Sequence, residues 1–281
     1  MLETLKKNRL AQLTFVVFLV LTGWWVSLQI HPNDAQNQWF GVAYGSVALL
    51  GAIAGLTISK KWGGAKSSIG RAILMFSLGL FAQEFGQVAY WVYVFILKTD
   101  VPYPSVGDIG FFGSIPLYIY GASLLGRASG VSLSMKNVLN KIQAFIIPLI
   151  LLTVSYMMFL RGYEFDWSHP LTVFLDFGYP FGQAIYISIA LLAFLFSLKL
   201  LGGVMRSKIL LVLFALFTQY VADFTFLYQT HNETWHAGGI NDYMYLFAYL
   251  IMAFGIMNFG TLYNRLQSKP VETKSLGGND G

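Results

Sequence analysis

The chain has no cysteine, which excludes at once a disulfide framework, a thiolate metal site and a cysteine nucleophile. Charge is nearly as scarce: 11% of the 281 residues are charged and 56% are hydrophobic. That leaves too little polar surface for a soluble fold of this size. There is no HExxH zinc motif and no GxSxG elbow, and Gly63-Gly64-Ala65-Lys66-Ser67 lacks the first glycine of a P-loop. No histidine lies deep in an apolar segment, which removes a bis-His haem. No lysine lies at membrane depth in the second half, so a retinal Schiff base has no place. Catalytic residues, cofactor and metal are therefore all expected to be absent, and the chain does not read as an enzyme.

What is present is a spatial pattern of charge. Of the 18 Lys and Arg, 16 fall in five clusters: Lys6, Lys7 and Arg9; Lys60, Lys61, Lys66 and Arg71; Arg127, Lys136 and Lys141; Lys199, Arg206 and Lys208; Arg265, Lys269 and Lys274. Only Lys98 and Arg161 lie elsewhere. Between consecutive clusters the chain runs through two apolar segments of about 20 residues or more, each long enough to cross a hydrocarbon layer of ~30 Å. Basic loops stay on the cytoplasmic side. The expectation is an all-α polytopic inner-membrane protein with eight transmembrane helices and both termini cytoplasmic. The net charge of +5 is then a topology signal, and nucleic acid is dropped as a partner. The first segment follows a basic start but runs on to Ile30 with no small-residue cleavage site, so it reads as a retained helix.

The predicted spans are Ala11 to Ile30, Trp39 to Ser59, Arg71 to Leu97, Gly107 to Gly126, Ile142 to Leu160, Leu171 to Leu200, Ile209 to Tyr228 and Asn241 to Asn264. They divide the chain into a cytoplasmic N-terminus (1–10), a four-helix unit (11–126), a basic linker (127–141), a second unit (142–264) and a polar, disordered tail (265–281). The halves match at nearly constant separations. Phe40, Gly41 and Gly45 pair with Phe177, Gly178 and Gly182; Leu80, Phe81, Gln83 and Gln87 with Leu216, Phe217, Gln219 and Asp223; Asp108 and Gly121 with Asp242 and Gly255. Four crossings per unit make these parallel four-helix repeats, with a cavity expected at their interface.

Intramembrane charges are costly and usually face a bundle interior, which singles out Glu84, Asp176 and Asp223. Glu84 is deepest and has Gln83 and Gln87 within a turn. Asp108, three residues after Ser105, and Asp242, after Gly238 and Gly239, have a plainer use as helix caps. Pro180 is expected to kink the sixth span. The four histidines fall in loops of the non-basic side, where His231, Glu233 and His236 lack any recognised zinc spacing. All tryptophans but Trp62 lie toward that side; of the adjacent Trp24 and Trp25, at least one must point inward, near Tyr90 and Tyr93 in depth. The candidate ligand-binding set is Glu84, Gln87, Tyr90, Trp91, Asp108, Asp176, Tyr179, Gln219, Asp223 and Asp242.

The segment Pro102-Tyr103-Pro104-Ser105-Val106-Gly107-Asp108, with Pro116 and Gly121 in the helix that follows, resembles a motif of the eight-helix membrane domains that precede GGDEF and EAL cyclic-di-GMP modules, and some histidine kinases, in bacterial signalling proteins. Here Gly107 replaces the family's Ala and Ile115 its Tyr. Tyr179-Pro180, Ala222-Asp223 and Asp242 are similar to the family's later motifs, whereas Gln183 stands where an acid is expected. The resemblance implies a sensory role toward a small molecule. No catalytic output follows residue 264, so signalling would pass to a protein partner in trans. The rival expectation is a small-solute or proton-coupled transporter, since duplicated halves and a midplane carboxylate serve such proteins.

Overall fold

We describe the computed structural model of the chain over residues 2–128, 137–200 and 205–268, with side chains omitted at 197–200. Expectations for Lys136, Lys269, Lys274, the Lys199 side chain, most of the basic linker and the tail beyond Ser268 fall outside the described residues. Among those described, every regular element is a helix. They are α1 (Leu2–Lys7), α2 (Arg9–Ile30), α3 (Asp34–Ala43), α4 (Gly45–Lys61), α5 (Ser68–Trp91), α6 (Val106–Ala128), α7 (Val138–Ser155), α8 (Pro170–Leu200), α9 (Arg206–His231) and α10 (Ile240–Gln267). A 3-10 turn (Gly64–Lys66) precedes α5, and π-helical turns extend α5 over Val92–Leu97 and α7 over Tyr156–Leu160. With α3 and α4 taken as one span, eight helices are long and apolar enough to cross a membrane.

Local chemistry explains where the helices start. Asn8 accepts from the amides of Leu10 and Ala11, Asn33 from Gln36, Ser67 from Gly70 and Asn137 from Leu139. Each side chain satisfies an amide that has no partner inside its helix. Two features were not expected. α1 is a separate helix, anchored where the buried Thr4 hydroxyl donates to Asn258 Oδ1 at 2.7 Å. The second span is divided at Tyr44, which keeps right-handed helical angles (φ −65°, ψ −25°); beside it, a Cβ on Gly45 would collide with Glu84 Oε2 and press on Gln87. Pro180, expected to kink its span, lies within an α8 that is helical from Pro170 to Leu200.

Six spans close a ring: α4 packs on α5, α5 on α6, α6 on α8, α8 on α9, α9 on α10, and α10 back on α4. α2 lies outside against α10 and α4, and α7 outside against α8. Burial follows from this arrangement: 83% of the apolar window of α10 is buried, against 6% for the span that contains α7. Small residues set the closest approach. A Cβ on Gly110 of α6 would meet the Ala82 carbonyl and the Gly86 amide of α5, so these two backbones touch directly. One end of the bundle carries the basic clusters, tied by Trp62 Nε1 donating to the Phe259 carbonyl at 3.0 Å. The other carries the histidines, tied by Trp25 Nε1 and Gln29 Nε2 donating to the Gly238 carbonyl, each at 3.1 Å.

Candidate functional site

In the half of the bundle nearer the histidine end, polar side chains meet where apolar ones would be cheapest. Asp223 of α9 is buried and takes three donors: Tyr186 of α8 at 2.5 Å, Gln219 one turn back at 3.0 Å and Tyr245 of α10 at 3.0 Å. Three spans thus converge on one carboxylate. A second knot is centred on Gln83 of α5, whose amide donates to Ser114 of α6 at 2.8 Å while its carbonyl accepts from Tyr249 of α10 at 3.0 Å. Stacked rings join the knots: Tyr245 and Tyr249 both lie against Tyr44, with centroids at 6.2 and 6.0 Å. The Tyr44 hydroxyl in turn meets the Gln87 amide. Buried amides, hydroxyls and a carboxylate are stable there because nearly all of them find partners.

Two groups beside the network do not. Glu84 is half-buried, and its Oε2 is enclosed with no hydrogen-bond partner among the described residues. It lies in the notch that Gly45 leaves at the break in the second span. The Tyr118 hydroxyl of α6 is likewise enclosed without a partner.

Closer to the end of the bundle, Asp108 caps α6 by accepting from the Ser105 amide at 2.7 Å and hydroxyl at 3.1 Å. Its other oxygen accepts from Tyr179 of α8 at 2.7 Å, so the cap also joins α6 to α8. Asp242 caps α10 by accepting from the Gly238 amide at 2.7 Å. Gly238 has φ of 73°, and a Cβ there would meet Asn37, so this turn requires glycine. Asp176 accepts from Tyr103 at 2.8 Å and from Tyr163 at 2.6 Å, pinning two loops to α8. The Asp176 carboxylate, by accepting this bond, pushes the Tyr163 phenol up to about 12. In the same loop, donation from Ser168 and then from His169 draws Asp166 down to about 2.

The sequence-predicted residues therefore do not form one cluster. Gln219 and Asp223 sit in the core network and Gln87 at its edge; Asp108, Tyr179 and Asp176 lie along α6 and α8. Tyr90 donates to Gln38 at 2.6 Å on the opposite flank, and Trp91 stands half-buried where α5 becomes π-helical, outside these bonds. Trp25 points inward and stacks on Tyr243 at 4.4 Å, while Trp24 meets Phe40 edge-on at 5.8 Å, so both serve packing. The residues missed are the partners: Tyr44, Ser114, Tyr118, Tyr186, Tyr245 and Tyr249. Their one signal was the i, i+4 spacing of Tyr245 and Tyr249, which sets both on one face of an otherwise apolar helix. Among the described residues no three His, Asp or Glu gather where a metal ion would be held.

A shallow apolar cavity of about 480 Å³ borders the α6–α8 seam. Phe165 and Trp167 of the preceding loop and Phe174, Phe177, Gly178 and Gly182 of α8 line it. The same two glycines receive Phe112 and Ile115 of α6.

Eight apolar spans, six of them ringed around a buried polar network, define the class: an all-helical, multi-pass membrane protein. No protein-family model, curated protein or solved structure matches the chain.

Proposed function

We propose that the chain is a receptor-like inner-membrane protein, built from two parallel four-helix units, whose small-molecule ligand reaches the polar interior from the histidine-bearing side. Glu84 carries the reading. It is a carboxyl group at membrane depth whose enclosed Oε2 has no hydrogen-bond partner among the described residues, and such a group calls for a ligand donor, a water or a proton. Around it, Gln83, Gln87, Tyr44 and Tyr249 link α5, the broken second span and α10, so a ligand bonding to Glu84 would act on three spans together. Binding would shift one four-helix unit against the other, and the basic loops would pass the shift to a protein partner in trans.

The duplication has support in equivalent contacts. Gly121 faces Phe76 as Gly255 faces Val212, each pair separated by the repeat spacing. The Asn241 amide donates to the Ala222 carbonyl at 2.8 Å, where the matching Gly107 faces the Gly86 carbonyl. The motif at Asp108 and the resemblance to sensor domains agree with an input role, and five basic clusters support cytoplasmic termini.

The test is reconstitution of the full chain, with thermal-shift and native mass-spectrometric screening for a retained small molecule, repeated with Glu84→Gln. Ligand stabilisation that Glu84→Gln removes, without solute flux, is the expected result. Proton-coupled flux abolished by Glu84→Gln would instead establish the transporter and overturn the receptor reading.

A further inference from the structure

The basic end holds a cavity that neither the fold nor the interior network accounts for. It has a volume of about 480 Å³ and opens between the start of α2, the end of α4 and the end of α10. Lys7, Arg9, Lys61 and Arg265 stand around it, with Asn264 and Thr261 between them. Taken singly, Lys61 and Arg265 are explained as cations at helix C-termini, and all four as topology signals. Their convergence on one hollow is not. Lys7 is paired with Glu3 at 3.0 Å, and the same carboxylate also interacts electrostatically with Arg265; the exposed side chains of Arg9, Lys61 and Arg265 make no ion pair or hydrogen bond among the described residues. The exposed side-chain amide of Asn264 also makes no hydrogen bond among them.

The hollow is built and not incidental. α1 is fixed over the end of α10 by the Thr4–Asn258 bond and by Thr261 Oγ1 donating to Thr4 Oγ1 at 3.1 Å. The turn at Asn8 then starts α2, so that Lys7 and Arg9 flank the opening. Leu10, Ala54 and Ile58 supply apolar wall toward the membrane side of the cations.

We propose that this cavity binds a phosphate ester, its phosphate held between Arg9, Lys61 and Arg265. Three cations from three helices suit a compact anion with several acceptor oxygens. The volume lies within the ~300–1,000 Å³ range of small-molecule sites, larger than a bare ion requires. An anionic phospholipid headgroup and a soluble phosphate ester share this chemistry, and the apolar wall favours the lipid.

The full-length protein in detergent is titrated with phosphatidylglycerol and, separately, phosphatidylcholine under native mass spectrometry, and with glycerol 3-phosphate by thermal shift. The wild type is expected to retain phosphatidylglycerol at least about tenfold better than phosphatidylcholine. Arg9→Gln/Lys61→Gln/Arg265→Gln should remove that preference, and so should Thr57→Phe, which fills the cavity without changing charge. Lys60→Gln/Lys66→Gln, outside the cavity, should keep it. A shift with glycerol 3-phosphate that both cavity variants lose, with no lipid preference, supports the site and assigns it to a soluble ester. Equal loss in the Lys60/Lys66 control, wild-type retention by Thr57→Phe, or no response to either phosphate source overturns the proposal. If the triple variant does not fold, as judged by helical circular dichroism, Thr57→Phe alone decides.

Discussion

The Tyr186 hydroxyl of α8 donates to the Asp223 carboxylate of α9 at 2.5 Å, with both residues buried. Because Gln219 and Tyr245 use the same carboxylate, removing its charge weakens three bonds at once. Asp223→Asn should destabilise the protein by about 2 kcal/mol, the size expected for bonds to a charged acceptor. Tyr186→Phe should cost about 1 kcal/mol, and the double variant less than the sum, because the residues share one network. Thermal unfolding in detergent measures all three; strict additivity would show that Asp223 acts independently of Tyr186.

Backbone contact between α5 and α6 predicts an asymmetry among glycines. Gly110→Leu and Gly86→Leu force a side chain into the partner helix or into Phe111, and should cost at least about 1–3 kcal/mol. A Cβ on Gly23 or Gly113 would meet nothing within 4 Å, so Gly23→Leu and Gly113→Leu should stay within about 0.5 kcal/mol of the parent. The same unfolding assay ranks the four; comparable losses at Gly113 and Gly110 would contradict the observed packing.

A loop bond gives a pH signature at the histidine end. Tyr163 donates to Asp176, which raises its phenol above the ordinary value of about 10 to about 12. The raised value means that the bond stabilises the folded chain in full below pH ~10, and that this contribution is lost as pH climbs through about 12. Asp176→Asn should bring the Tyr163 titration back toward 10. NMR of ring-labelled tyrosine, assigned with Tyr163→Phe, reads it directly.

The eight spans were legible because the bilayer imposes length and apolarity, and because charge marks where each pair of spans ends. Their observed limits extend the expected ones by a few residues, as with Ile209 to Tyr228 against Arg206–His231. α1 escaped notice because six residues carry too little periodicity; it is anchored by Thr4 reaching Asn258, which is 254 residues away. The division at Tyr44 lies where Glu84 and Gln87 of α5 approach Gly45, a contact that no local pattern in α3 or α4 encodes. Within the candidate site, acids and amides stood out against apolar helices, so Glu84, Gln87, Gln219 and Asp223 could be picked from sequence. Their tyrosine partners could not. A tyrosine in a transmembrane helix reads as an interfacial anchor until its hydroxyl is seen to face a carboxylate on another span.

The absence of cysteine makes orientation directly measurable, since a single introduced thiol is the only one in the chain. Thr234 lies exposed in the loop between α9 and α10, and Ser268 is exposed just after α10, at opposite ends of the same span. If the basic end faces the cytoplasm, Thr234→Cys should react with a membrane-impermeant maleimide in intact cells, and Ser268→Cys only after permeabilisation. Lys98 and Arg161, the two cations on the histidine-bearing end, are outnumbered by the basic clusters opposite and should not disturb this. Adding positive charge beside them, as in Asp100→Lys/Glu164→Lys, tests how firmly the partition fixes topology. Because acidic residues contribute little to that signal, the effect must come from the new lysines, and the labelling pattern should hold against only two of them. Labelling of Ser268→Cys in intact cells would invert the orientation, and with it the side from which a ligand could approach Glu84.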